Sequence, residues 1–307
     1  MSQSAATGEH MPTAELDLMP TVDVVGRLLA AEERVLPAVR AAAPSIARAA
    51  ELIAERMRTG GRLVLLGAGT SGRLAVLEAA ELPGTFGLPE STVAGVNAGS
   101  GGGLAGHDRD EDDTGAGQRD LIASGAGAAD VLVAVAASGR TPYTLAAAGW
   151  AAEHGLLVVA LTTSAGTPLA ALAEVAIEVP VGPEALHGST RLTAGTATKL
   201  ALDALTTAAM VRLGRVHDDL MIDVVPANAK LRERSATQVA RITGGSIEAA
   251  RVALEACGWN ARAAVLNLMT GLAPDRAGEL AAAHPTLRAA MAAAASPAPN
   301  GARHSHD

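Results

Sequence analysis

Two glutamates and three hydroxyl-rich loops carry the chemistry this chain could do. Glu81 stands at the end of a helix expected over about 71–81, beside Leu77, Ala80 and Leu82. The negative end of a helix and apolar neighbours both favour the neutral carboxyl, which suits a proton donor. The plainer alternative is a charge that solvates a helix end, and Glu78, one turn earlier, serves as the comparison for it. Glu111 lies in the acidic run 107–113, HDRDEDD. Asp108, Asp110 and Asp112 imitate the start of a calcium loop. Asp113 stands where that loop needs glycine, and Arg119 where it needs its closing glutamate, so no metal is expected there. The run is either a solvated charged loop or helix start, or the source of a second active-site carboxylate.

The first loop, Gly67-Ala68-Gly69-Thr70-Ser71-Gly72, follows an expected strand and opens a helix. It fits the G-x-G-x-x-G pattern, but the acidic residue that holds a ribose at the end of the second strand is missing. What remains is an anion site, in which glycines admit the anion to the backbone and helix N–H groups bind it. A plain tight turn is the alternative. Ser138-Gly139-Arg140-Thr141-Pro142 and Gly188-Ser189-Thr190-Arg191 repeat the arrangement. Three such loops at the carboxyl ends of parallel strands lie where open α/β sheets bind ligands. Hydroxyls with few cations suit a sugar phosphate. No G-x-x-x-x-G-K-[ST] run occurs, which excludes a P-loop.

These loops need a frame. Short apolar runs at 62–66, 92–96, 130–136, 156–161 and 173–179 alternate with helical stretches at about 71–81, 143–154 and 194–213. That alternation predicts an α/β fold with a doubly wound parallel sheet. The pair Pro83-Gly84 is expected to stop the first of these helices. Residues 21–59 read as helices before the sheet, and 228–293 as a small helical module after it, with two short helices joined at Gly258. The expected organisation is therefore an N-terminal segment 1–20, a sugar-phosphate domain 21–225, a helical module 228–293 and a disordered tail 294–307.

Composition narrows the function. Aromatics are 1% of the 307 residues, which leaves no platform for stacked bases. Asp plus Glu is 32 against 24 Lys plus Arg, a poor balance for a phosphate backbone, so no nucleic-acid partner is expected. No apolar run of about 20 residues and no basic-then-apolar leader is present, so neither a membrane partner nor a signal peptide is expected. Cys257 is the one cysteine, which excludes an internal disulfide and suits a reducing, cytoplasmic setting.

The stretches LGAGTSGRLAVLEAAELPGTFG (66–87), DEDD (110–113), AASGRTPY (136–143), GSTRLTAGTATKL (188–200) and LMIDVVPANAKL (220–231) together resemble the sugar isomerase (SIS) domain. More closely, they resemble the N-acetylmuramic acid 6-phosphate etherase family, over about residues 14–275. The chain departs from that pattern at TGEHMPT (7–13), at Ala31, Leu82 and Gly84, and at Thr193, where the family has lysine. The resemblance implies an SIS-type fold and a carbon–oxygen lyase. Such an enzyme cleaves a D-lactyl ether to N-acetylglucosamine 6-phosphate and D-lactate in cell-wall sugar recycling. It implies Glu81 as proton donor and Glu111 as second catalytic glutamate, with Gly69, Thr70, Ser71, Ser138, Arg140, Thr141, Ser189 and Thr190 around the sugar phosphate. It implies no cofactor, because the substrate's own carbonyl is the electron sink, and it implies a homodimer. An SIS-type isomerase and a non-catalytic sugar-phosphate regulator are the alternatives.

Overall fold

The computed structural model describes residues 16–100, 103–106 and 108–295. The expected tail therefore lies almost wholly outside the described residues, as do His107 and most of the N-terminal segment. Two compact units result, Met1–Glu81 with Glu90–Ala209, and Leu82–Pro89 with Met210–Asp307.

The first unit opens with three helices, α1 (Thr21–Glu32), α2 (Val35–Ala41) and α3 (Ala43–Arg58). Five parallel strands follow in chain order, β1 (Leu63–Gly67), β2 (Val93–Asn97), β3 (Val131–Val135), β4 (Leu157–Thr162) and β5 (Val175–Glu178). Between and after them run α4 (Gly69–Phe86), α5 (Thr114–Ala123), α6 (Pro142–Glu153), α7 (Pro168–Ala171) and α8 (Thr193–Arg212). Every residue of β1, β3 and β4 is buried, which is why these segments read as unbroken apolar runs rather than as alternation. Val64, Leu66, Leu132, Ala134, Val158 and Ala160, alternate residues on one face, pack against Leu121 of α5 and Tyr143, Ala147 and Ala151 of α6. The Tyr143 hydroxyl reaches out of that core and donates to Asp120 Oδ2 at 2.8 Å.

The sheet order is β2-β1-β3-β4-β5. Its direction of winding reverses at β1, which pairs β2 on one side and β3 on the other. The connections therefore leave β1 and β3 to opposite sides, and a crevice opens beyond their carboxyl ends. The first and second hydroxyl-rich loops occupy those ends.

Arg62 clamps the opposite end of the same strand pair. Its guanidinium donates to Asp130 Oδ2 at 2.8 Å and to the Ser124 carbonyl at 3.1 Å, and its backbone N–H donates to Asp130 Oδ1. These bonds hold the Asp130 carboxyl below the usual aspartate range although its burial pushes the other way.

One boundary differs from the sequence reading. Helix α4 runs through Pro83-Gly84 to Phe86. Pro83 costs the helix the bond its amide would give to the carbonyl four residues back, yet the helix continues for three more residues, and the chain breaks where Gly87 takes φ +62°.

The second unit is helical among its described residues, with α9 (Ala229–Thr243), α10 (Ile247–Ala256), α11 (Ala261–Thr270), α12 (Pro274–Ala283) and α13 (Leu287–Ala295). Asn228, Ser246 and Asn260 cap α9, α10 and α11 through side-chain oxygens, and Val239, Leu254, Val265, Leu266 and Leu287 fill the core between them. The turn between α10 and α11 passes through Gly258 at φ +60° and Trp259 at φ +64°. Arg232 stacks over the Trp259 ring at 5.1 Å. No helix among the described residues is long and apolar enough to cross a membrane.

Candidate active site

The first loop is built from close approaches that only glycine permits. Gly69 begins α4 at φ +56°. A β-carbon there would stand 2.3 Å from Glu111 Oε1, so the Glu111 carboxylate rests directly on the Gly69 backbone at the start of α4. At Gly72 a β-carbon would stand 2.1 Å from Asn97 Oδ1 and 2.6 Å from the Gly67 carbonyl. Thr70 and Ser71 follow Gly69 in the first turn of α4, and both are half-buried.

Glu111 belongs to a short 3-10 turn, Asp108–Asp112. Asp113 fixes where that turn ends, because its side chain accepts from Ala116 N at 2.8 Å and caps α5. That backbone bond holds the Asp113 carboxyl below its ordinary range, with Arg119 adding to the effect. The acidic run thus contains one helix cap and one carboxylate delivered to the crevice. Asp113 supplies the helix start of the plainer reading, and Glu111 is the residue brought against Gly69.

Ser138, Arg140 and Thr141 sit in the second loop, after β3. Gly139 takes φ +61°, and a β-carbon on it would strike Thr167 at 2.4 Å. The Ser138 hydroxyl accepts from Arg140 N at 3.2 Å. Ser138 and Arg140 are exposed. Thr141 precedes α6 without capping it. The strands bearing this loop and the first are paired neighbours, Gly67 opposite Val135.

Ser189 and Thr190 precede α8, and a β-carbon on Gly195 would lie 3.7 Å from both the Thr190 carbonyl and Thr70 Cγ2. This brings the third loop to the first. Its helix end differs from the other two, however. Glu184 Oε2 and Oε1 accept from Thr193 N and Ala194 N, each at 2.9 Å, so the chain's own carboxylate already caps α8. The Thr193 hydroxyl donates to Glu32 Oε1 at 3.2 Å. Of the third loop, the hydroxyls of Ser189 and Thr190 are the groups to consider for a ligand, not those two amides.

The two glutamates of α4 reverse their expected settings. Glu78, taken from sequence as the bystander, is buried. Its Oε2 accepts from Lys199 Nζ at 2.9 Å and its Oε1 from the Thr206 hydroxyl at 2.5 Å. Glu81 lacks the apolar packing expected for it, and its side chain is 59% exposed. A step of three residues leaves the two side chains about 60° apart around the axis, so Glu78 faces α8 while Glu81 sits at the edge of that face, toward solvent. Lys199 joins the pair. It also bonds Asp203, and its ammonium lies 3.8 Å from Glu81 Oε2. Burial alone would weaken the lysine's hold on its proton, but the bonds to Asp203 and Glu78 outweigh that and raise its pKa well above the ordinary lysine range. Lys199 was not singled out from sequence, although LTAGTATKL ends one residue after it.

The arrangement thus offers a carboxylate at a helix N-terminus in the crevice, hydroxyls from adjoining loops, and a second carboxyl beside a fixed ammonium. Residues 29–163 match the SIS domain. The N-acetylmuramic acid 6-phosphate etherase of Rubrobacter xylanophilus is 45% identical over 281 residues, 91% of this chain and 93% of that protein. The enzyme of the same name from Salmonella choleraesuis is 42% identical, over 91% of this chain and 95% of its own.

Proposed function

The chain belongs to the N-acetylmuramic acid 6-phosphate etherase family, and from that premise we propose how its own residues carry the reaction. The activity is that of a carbon–oxygen lyase, which cleaves the D-lactyl ether at C3 of the sugar phosphate. In the open-chain sugar the C1 aldehyde makes the C2 proton acidic. Glu111 removes that proton, Glu81 donates to the departing ether oxygen, and an α,β-unsaturated aldehyde results. Glu81, now ionised, takes a proton from the water that adds at C3, and Glu111 returns its proton to C2. Atoms balance, with one D-lactate released and one water taken up. Each acid–base step accounts for about 10²–10⁴-fold in rate.

The observation that carries this reading is the Glu111 carboxylate on the Gly69 backbone, at the reversal point of the sheet. A base held there faces the crevice where Thr70, Ser71, Ser138, Arg140, Thr141, Ser189, Thr190 and the backbone of Gly69 are available to the phosphate and sugar. Fixing the base before the substrate arrives lowers the entropic part of the barrier. The functional unit is a homodimer of the cytoplasm with no nucleic-acid partner, in keeping with the acidic balance and the single cysteine.

The test is incubation with N-acetylmuramic acid 6-phosphate and an assay for D-lactate. Stoichiometric D-lactate and N-acetylglucosamine 6-phosphate are expected. Conversion without lactate would replace this reading with a sugar-phosphate isomerase, and binding without conversion would replace it with a regulator.

A further inference from the structure

We infer that Asn97, the last residue of β2, is a positioning residue for Glu111: it ties the segment after β2 to the start of α4 and so sets where the base stands. The inference rests on the role given to Glu111 above and adds what holds that residue in place.

Asn97 is 1% exposed and pairs with Gly67, so it lies at the strand ends where the crevice opens. A buried strand end in this sheet needs only an apolar side chain, as Val135 shows at the end of β3. Among the described residues Asn97 Oδ1 has no hydrogen-bond partner, and it rests on Gly72, whose missing β-carbon makes the room. An unmet buried acceptor destabilises the folded chain, so packing alone does not account for an amide at this position.

The other half of the amide does have partners. Nδ2 donates to the carbonyls of Leu104 and Ala105, at 3.5 Å each. The group has one sense only, because turned over its oxygen would face those two acceptors. Gly106 packs on the same nitrogen, and a β-carbon there would stand 3.1 Å from it. Arg73, next to Gly72 in α4, donates from Nε to the Leu104 carbonyl at 3.2 Å. Two side chains thus tie residues 104–106 to the first turns of α4.

The Asn97 carbonyl makes a third tie. It accepts from Ser100 N at 3.1 Å and from Ser100 Oγ at 2.7 Å, which shapes the turn that holds Gly99. Gly99 takes φ +71°, and a β-carbon on it would strike the Asp110 carboxylate. Asp110 and Glu111 are consecutive. One rests on the turn that Asn97 builds, and the other rests on Gly69. Loss of the amide releases residues 104–106 and lets Glu111 shift from Gly69, and a displacement of about 1 Å costs a positioned reaction about 100-fold.

The experiment compares Asn97→Ala with wild type and repeats the change in a Glu111→Gln background. The substitution removes the unmet acceptor together with the donor, so the melting temperature should stay within about 4 °C of wild type. The kcat for D-lactate release and the exchange of the C2 hydrogen with solvent should both fall by about tenfold or more, while KM changes by less than about twofold. In Glu111→Gln no base is left to place, so adding Asn97→Ala should leave the residual lactate release within about twofold. Asp110→Ala loosens the other end of the tie from a half-buried position and should lower C2 exchange by about threefold or more. Wild-type kcat and exchange in folded Asn97→Ala would overturn the inference. So would a change in KM alone, or a further loss in the Glu111→Gln background as large as in wild type. Should Asn97→Ala not fold, undiminished exchange in Asp110→Ala overturns it. Undiminished exchange in Glu111→Gln by itself is a different signature, and it would overturn the role of Glu111 and this inference with it.

Discussion

Glu111 Oε1 occupies space that a β-carbon on Gly69 would need, 2.3 Å from where that carbon would stand. The glycine is required twice over, by this contact and by its φ of +56°. Gly69→Ala must therefore push the base away or distort the start of α4. We expect D-lactate release and solvent exchange of the C2 hydrogen to fall together, by about 100-fold or more. The fold should survive with a loss of about 1–3 kcal/mol. Kinetics beside thermal unfolding measure both, and near-wild-type exchange would show that Glu111 acts from elsewhere.

Lys199 holds its ammonium between Glu78, Asp203 and Glu81. Lys199→Met should slow the step that uses Glu81 and spare the one that uses Glu111. D-lactate release then falls by at least about tenfold while C2 exchange continues, and Lys199→Arg restores part of the loss. Glu78→Gln should not be silent. It breaks a buried ion pair and should cost about 2–4 kcal/mol in unfolding free energy, with a smaller effect on turnover. Equal losses of exchange and lactate in Lys199→Met would reduce Lys199 to a structural part.

The Arg62–Asp130 pair ties the amino end of β3 to the residue before β1. The Asp130 carboxyl has its pKa lowered in the folded chain. Its contribution to stability is therefore full above the ordinary aspartate value of about 3.9 and is lost as pH falls through the lower folded value. Asp130→Asn should lower the melting temperature at pH 7, with a cost of about 2–3 kcal/mol. The gap to wild type should close as pH falls below about 4. A constant gap across that range would separate the effect from ionisation.

The sheet was legible in sequence because β1, β3 and β4 are buried on both faces and so appear as short unbroken apolar runs between glycine-rich turns. The first two loops were legible for the same reason, since each glycine marks a turn at the end of such a run. The settings of Glu78 and Glu81 were not. In helix α4 apolar residues flank both glutamates, Leu77 and Ala79 beside Glu78 and Ala80 and Leu82 beside Glu81, so the local pattern does not tell them apart. Only the positions of Lys199 and Thr206, more than a hundred residues away, decide which one is buried. Glu184 capping α8 was hidden because the cap comes from nine residues upstream, well outside the usual capping distance. Pro83 misled because the helix tolerates its one missing bond and breaks instead at Gly87, whose positive φ no local pattern announces.

Glu81→Gln and Glu111→Gln, run in heavy water, separate removal of the C2 proton by Glu111 from protonation of the leaving oxygen by Glu81. D-lactate and deuterium at C2 are followed together. Glutamine keeps the size of either side chain but can neither take the C2 proton in place of Glu111 nor give one in place of Glu81, so the loss should appear in turnover rather than in substrate binding. Glu111→Gln should lose both signals, whereas Glu81→Gln should lose lactate and keep deuterium incorporation. Near-wild-type lactate release by Glu81→Gln, or undiminished C2 exchange by Glu111→Gln, would contradict that division of roles.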